Sequence, residues 1–162
     1  MTNHTLQKSM FQSGCIFAGT AVILGAFGAH ALKEVLDPTE LATFETGVKY
    51  QFMHALGILL IALSLRKIKG KTARYVWYLF SFGTLFFSLS LYVLSMRSLL
   101  GLSDQFKAIG AVTPLGGLCF IAGWLYLAYD GFRVYDDEEQ HRSKRKSHRH
   151  IQSTESNTES GT

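Results

Sequence analysis

The chain has 162 residues and a formal net charge of +4, a length that allows one domain. Its hydrophobic content of 48% divides unevenly, because Ile151 is the only strongly apolar residue from Asp136 onward. The apolar remainder forms four long stretches almost free of charge, which excludes an ordinary water-soluble domain, since lipid must be the main solvent.

The apolar stretches run Met10–Leu32, Tyr50–Leu65, Tyr75–Met96 and Ala108–Tyr129. A helix needs roughly 20 such residues to cross about 30 Å of hydrocarbon. The sequence therefore predicts an all-α membrane protein, a four-helix transmembrane bundle with helices at residues 11–32, 38–65, 75–96 and 108–129. The membrane domain is expected to occupy residues 1–135.

The first stretch contains small residues four apart, at Ala21, Gly25 and Ala29. This spacing lets membrane helices approach closely and indicates a packing face. An alternative is a signal peptide, because Lys8 precedes an apolar run that ends at an A-x-A cleavage pattern, Ala29–Ala31. The apolar run is long for such a peptide.

The second and fourth helices carry distinct start and kink signals. Asp37, Pro38 and Glu40 have the spacing of an N-cap, a first-turn proline and a capping box. In the fourth helix, Gly117 lies on a stripe of small and polar residues. Pro114 is expected one to two turns inside that helix, where proline usually produces a kink and could act as a hinge.

The basic residues predict the topology of the bundle. The loop Arg66–Arg74 is rich in lysine and arginine and has no acid, and residues 142–149 form a second basic run. Because positive loops stay in the cytoplasm, both termini are predicted to be cytoplasmic. Residues 136–162 have the composition of a disordered charged tail, whose basic run would contact anionic lipid head groups or serve only to fix the topology. No nucleic-acid partner is expected.

Polar residues gather in the predicted outer half of the helices. Ionisable residues in lipid usually face the bundle interior, so a hydrogen-bonded cluster joining His30, His54 and a neighbouring tyrosine or glutamate is expected. It would be either a pocket with titrating histidines or interhelical hydrogen bonding that holds the helices together. Metal binding by His30, Glu45 and His54 lacks a supporting short spacing. The candidate residues are His30, Glu45, Tyr50, Gln51, His54, Ser90, Tyr92 and Thr113.

Four segments in order carry a family resemblance: Gly25–Leu32, Phe44–Leu56, Ser88–Tyr92 and Thr113–Gly117. They resemble the YgdD/YwdK-like family of small four-span inner-membrane proteins, a domain of unknown function. The resemblance covers about residues 10–130 and departs at Leu89, where the family usually has glycine. It implies a bacterial-type inner-membrane location and supplies no catalytic residues or cofactor.

Three functions are compatible with this sequence. The first is a structural or interaction protein whose polar residues set the bundle. The second is a small-molecule or proton-handling carrier, with His30 and His54 titrating, Glu45 as their partner and Pro114 as a hinge; its small size would then favour a homodimer. The third, an enzyme acting on lipid, lacks a recognisable nucleophile and base, so no enzymatic activity is expected.

Overall fold

The computed structural model describes the backbone of residues 3–102 and 109–159, and the side chains of residues 3–102, 109–130 and 140–147. The described residues form α1 (Asn3–His30), α2 (Pro38–Leu63), α3 (Gly70–Ser95) and α4 (Thr113–Glu159), with a short 3₁₀ helix at Leu32–Glu34. All four contain a segment long and apolar enough to cross a membrane, which confirms the predicted all-α fold.

The start of α2 follows the capping signals in the sequence. The Asp37 carboxylate accepts hydrogen bonds from the backbone N–H groups of Thr39 and Glu40, at 2.8 and 2.9 Å. The Glu40 carboxylate accepts in return from the Asp37 N–H at 3.3 Å. Because Pro38 occupies the first turn, its missing N–H leaves no partner unsatisfied. The capping prediction is confirmed.

Two helices begin earlier than the apolar stretches suggest. α1 begins at Asn3 and α3 begins at Gly70, before the predicted residues 11 and 75. These polar first turns contact each other, since the Asn3 side-chain oxygen lies 2.6 Å from the position of a Cβ on Gly70. Leu6 is completely buried nearby. Contacts between helices thus extend the bundle beyond the segments defined by hydrophobicity.

The start of α4 differs from the expectation for Pro114. The predicted start at Ala108 lies outside the described residues, and the helix begins at Thr113. Pro114 is therefore in the first turn, where its absent N–H has no intrahelical partner to lose. The kink expected inside the helix therefore does not arise at Pro114, and a hinge role for this residue stays a prediction.

The fourth helix continues into the carboxy-terminal segment. α4 ends at Glu159, within residues 136–162, for which composition predicts disorder. The described side chains of residues 140–147 are all exposed, so burial does not stabilise this part of the helix. The glutamine, lysine and arginine residues of this part favour helix by local propensity. The division into a membrane domain and a tail stays a prediction.

Neighbours in sequence are neighbours in space: α1 packs on α2, α2 on α3, and α3 on α4. One apolar cluster lies toward the beginnings of α1 and α3 and includes Met10, Ile58 and Phe80. A second cluster lies toward the opposite end and joins Phe44 to Tyr92. Large apolar side chains on the outer faces are exposed to the surroundings, as expected for helices surrounded by lipid.

Small residues define the closest helix crossings, though not always those predicted. On α1 the buried small residues are Gly14, Ala21 and Gly28, at a spacing of seven, whereas the predicted Ala29 is exposed. A Cβ placed on Gly25 would lie 3.4 Å from the Val48 side chain, an ordinary contact distance. The packing face of α1 is thus rotated away from the predicted stripe while retaining Ala21.

The tightest approach joins α3 and α4. A Cβ on Gly116 would lie 2.5 Å from the backbone nitrogen of Phe87 and 2.9 Å from the carbonyl oxygen of Gly83. The neighbouring Gly117, which the sequence pattern singled out, would meet only the Phe87 ring at 3.8 Å. Gly116, rather than Gly117, therefore sets the distance between these helices.

Substituting Gly116 by alanine should separate α3 from α4, because the new methyl group meets backbone atoms that cannot rotate away. We expect Gly116→Ala to lower the free energy of unfolding by about 1–3 kcal/mol. Gly117→Ala is the matched control, since it has ordinary contacts and gains helix propensity. Thermal unfolding in detergent measures both; equal stability of the two variants would contradict the assignment.

Candidate functional site

The predicted polar residues form three separate groups rather than one cluster. Gln51 and Tyr92 contact each other, His54 lies beside Tyr50, and Ser90 meets Thr113. The remaining two residues, His30 and Glu45, are exposed and belong to none of these groups. The three groups involve different sets of helices.

Gln51 connects three helices. Its side-chain amide nitrogen donates to the Phe17 carbonyl oxygen at 3.0 Å and to Thr20 Oγ1 at 2.8 Å, both on α1. Its oxygen accepts from the Tyr92 hydroxyl of α3 at 3.0 Å. Because both amide protons and the carbonyl oxygen are used, Gln51 is fully engaged although it is buried.

His54 is held in one neutral form by its two neighbours. Its Nδ1 lies 2.8 Å from the Tyr50 carbonyl oxygen, which can only accept, so Nδ1 carries the proton. Its Nε2 lies 3.2 Å from the indole N–H of Trp124, which can only donate, so Nε2 accepts. The ring also stacks on Phe120 with centroids 3.4 Å apart. A second proton, on Nε2, would place the N–H group of His54 against the indole N–H group of Trp124.

The third group lies between α3 and α4. Ser90 Oγ and Thr113 Oγ1 are 2.7 Å apart, and Ser90 also donates to the Phe87 carbonyl oxygen. Since Ser90 uses its proton on that carbonyl, Thr113 is the donor in the bond between the hydroxyls. Both residues are among the polar residues that the sequence pattern placed in the outer half of the helices.

The expected link between His30 and His54 is not formed in the described part of the chain. His30 ends α1 with an exposed side chain, whereas His54 is buried among aromatic rings of α3 and α4. Glu45 is exposed on α2. Among the described residues, no group of three or more histidine, cysteine, aspartate or glutamate side chains is placed to hold a metal ion.

Several contacts involve residues that the sequence pattern did not single out. Trp124 lies near the end of the fourth apolar stretch, and its indole points inward to His54. Trp77 of α3 donates to Ser13 Oγ at 2.9 Å and ties α3 to α1. Asp130, directly after the fourth apolar stretch, is buried with Oδ1 3.9 Å from Lys69 Nζ. An acidic residue at the end of an apolar span, on the same side of the membrane as a basic loop, is the sequence signal that could have predicted the Lys69–Asp130 pair.

A cavity of about 410 Å³ lies between α1 and α3, with α2 behind it. The two helices converge at Ser13 and Trp77 and have few direct contacts elsewhere. The Gln51–Tyr92 bond forms part of its wall. The lining comprises Phe17, Thr20, Leu24 and Phe27 of α1, Phe44 and Gln51 of α2, Thr84, Leu85, Leu89 and Tyr92 of α3, and Met96 directly after α3.

The chain is similar to known membrane proteins over most of its length. Residues 24–117 match the family described as "Protein of unknown function (DUF423)". The UPF0382 membrane protein SSP2132 of Staphylococcus saprophyticus is 40% identical over 124 residues, 75% of this chain and 94% of the relative.

Two further relatives correspond to the resemblance noted from the sequence. The UPF0382 membrane protein YwdK of Bacillus subtilis is 40% identical over 70% of this chain and 88% of the relative. The UPF0382 inner membrane protein YgdD of Escherichia coli is 36% identical over 75% and 85%, respectively. No solved structure matches this chain.

Replacing Gln51 by leucine should weaken the attachment of α1, because three interhelical hydrogen bonds are lost and Tyr92 keeps an unpaired hydroxyl. We expect Gln51→Leu to lower the free energy of unfolding by about 1–3 kcal/mol. Thr46→Val is the control, since this exposed hydroxyl bonds only to the Ala42 carbonyl of its own helix. Thermal unfolding in detergent should show a loss for Gln51→Leu alone; wild-type stability would contradict the role of Gln51.

Proposed function

The chain belongs to the DUF423 family of proteins of unknown function, and we propose that it serves as a structural or interaction component of the cytoplasmic membrane. Its location as a multi-pass membrane protein follows from four span-length helices and from relatives named as membrane proteins. The proposed role, in contrast, depends on how the polar side chains inside the bundle are used.

One observation carries this proposal: the buried polar side chains predicted as a site are engaged with other helices. Gln51 joins α1, α2 and α3, and His54 accepts from Trp124 on α4. Ser90 meets Thr113 across α3 and α4. Hydrogen bonds of this kind hold membrane bundles together at about 0.6 kcal/mol each on average. Their engagement favours a structural role over a reactive one.

The carrier alternative receives less support from the geometry. It needs His30, Glu45 and His54 to exchange protons, yet His30 and Glu45 are exposed and His54 has both ring nitrogens occupied.

The enzyme alternative needs a nucleophile beside a base. Within the described side chains, the hydroxyls of Ser90 and Thr113 bond to each other and to a backbone carbonyl instead. We therefore propose that the protein is not an enzyme.

The proposal includes a topology and two partners. Asn3 contacts Gly70, and Asp130 contacts Lys69, so the beginnings of α1 and α3 and the end of the fourth span lie at one end of the bundle. The basic loop is at that end, which supports cytoplasmic termini.

The exposed basic residues of 142–147 extend along α4 and favour contact with anionic lipid head groups. A homodimer formed through exposed apolar faces is the second partner that we propose.

The two histidines distinguish the structural role from the carrier alternative. We expect His54→Ala to lower the free energy of unfolding by about 2–3 kcal/mol, because stacking on Phe120 and the Trp124 bond are lost. His30→Ala should change it by less than about 0.5 kcal/mol, since that side chain is exposed. Unfolding is measured in detergent. Two variants of wild-type stability that both lose a pH-dependent response would instead favour the carrier.

Reporter fusions check the orientation. Alkaline phosphatase fused after Thr162 should be inactive and green fluorescent protein at the same point should fluoresce, because both termini are proposed to be cytoplasmic. The matched control is a phosphatase fusion after Leu102, between α3 and α4, which should be active. Reversed activities at the two positions would overturn the topology while leaving the structural role open to the histidine experiment.

A further inference from the structure

The α1–α3 cavity has a lining that is chemically unusual for a gap between helices. Most lining side chains are apolar, and none is a lysine, arginine, histidine, aspartate or glutamate. Its volume of about 410 Å³ lies within the range of small-molecule sites. An occupant with a formal charge would find no counter-ion in this lining, and burying an unpaired charge is prohibitively costly. The lining therefore selects for uncharged molecules.

Thr84 supplies the polar feature of this cavity. The other polar side chains of the lining, Thr20, Gln51 and Tyr92, are hydrogen-bonded to protein. Thr84 is only 3% exposed, and its hydroxyl oxygen is buried with no hydrogen-bond partner among the described residues. Threonine in a helix populates two side-chain rotamers, so rotation about the Cα–Cβ bond can present this hydroxyl to the cavity. An oxygen atom of an occupant would then provide the missing partner.

The cavity can be reached from the lipid. Leu89 and Leu85 of α3 and Phe27 of α1 contribute to the lining and are about half exposed on the outer surface. These apolar residues border the opening of the cavity on the outer surface, through which a lipid-soluble molecule can enter without passing through water. The Leu89 side chain is shared between the lining and the outer surface, so a larger side chain at this position would close the opening.

From these features we propose that the α1–α3 cavity binds an uncharged, lipid-soluble molecule that carries a hydroxyl or carbonyl oxygen. The apolar part lies against Phe17, Leu24 and Phe44, and the oxygen pairs with the Thr84 hydroxyl, which can donate to a carbonyl or accept from an alcohol. The Gln51–Tyr92 bond holds the wall of this site rather than contacting the ligand's oxygen. This binding activity adds to the proposed structural role and does not depend on it.

Titration of the purified full-length protein in detergent tests the proposal, with native mass spectrometry counting bound molecules. Farnesol, an uncharged prenyl alcohol, is the probe; farnesane, the hydrocarbon of the same chain, and farnesyl phosphate, its charged counterpart, are the comparison probes. We expect one farnesol per chain, about tenfold weaker binding of farnesane, and no specific binding of the phosphate.

Paired variants identify the site. Thr84→Val keeps the side-chain shape and should weaken farnesol binding about tenfold without affecting farnesane. Its control is Ser88→Ala, which removes a buried hydroxyl of α3 that has no partner among the described residues and lies outside the cavity lining. Leu89→Trp should abolish farnesol binding, because the larger side chain closes the opening of the cavity toward the lipid. Its control is Leu60→Trp at an exposed position outside the lining. Thermal unfolding verifies that all four variants fold.

Four results would overturn the proposed ligand site. Farnesyl phosphate binding as tightly as farnesol, or folded Thr84→Val retaining full affinity, would refute the proposed chemistry. A co-purifying phospholipid that farnesol does not displace would assign the cavity to an acyl chain. Loss of a dimer in Leu89→Trp, with no farnesol bound to the wild type, would show that a second copy covers this face.

Discussion

Hydrocarbon offers a polar side chain no hydrogen-bond partner, and the arrangement of α1 depends on this constraint. An apolar side chain gains little by leaving lipid for protein, because both are equally apolar. α1 is accordingly attached through small buried residues such as Gly14 and through hydrogen bonds at several depths. Gln7 donates to the Ala62 carbonyl, Ser13 accepts from Trp77, and Thr20 accepts from Gln51. These bonds determine which side of the bundle α1 occupies and how far it lies from α3.

The opposite side of the bundle uses a different kind of contact. Gly83 and Gly116 allow the backbones of α3 and α4 to approach until only glycine fits, and Phe80 fills the space beside Gly123. Close backbone contact yields dispersion energy that lipid tails cannot match. The first part of α4 is therefore held by close contacts at Gly116 and Gly123, whereas α1 is held at discrete points. Near the cavity, no glycine among the described residues brings the backbones of α1 and α3 together in this way.

Hydropathy and capping chemistry were sufficient to predict much of the fold, because both depend on residues close in sequence. The four spans and the box at Asp37 follow from such local patterns. Depth along a helix likewise predicts that Ser90 and Thr113 lie in the same half of the bundle. Depth does not specify which way a side chain points around the helix axis, however. The expected partnership of His30 with His54 depended on that rotation, and so did the inward direction of Trp124. Such directions are set by tertiary packing between segments distant in sequence.

The same bonds that attach α1 also set the width of the cavity, so ligand binding and bundle stability are coupled. Gln51 holds Phe17 and Thr20 of α1 at a fixed distance from Tyr92 of α3, and all four residues line the cavity. A molecule lodged there would contact α1 and α3 where they scarcely touch each other. Because it would bind the assembled bundle and not the separated helices, it would stabilise the fold in proportion to its concentration relative to its Kd. A structural role and a binding role are thus compatible: the polar bonds position α1, and the occupant completes its packing against α3.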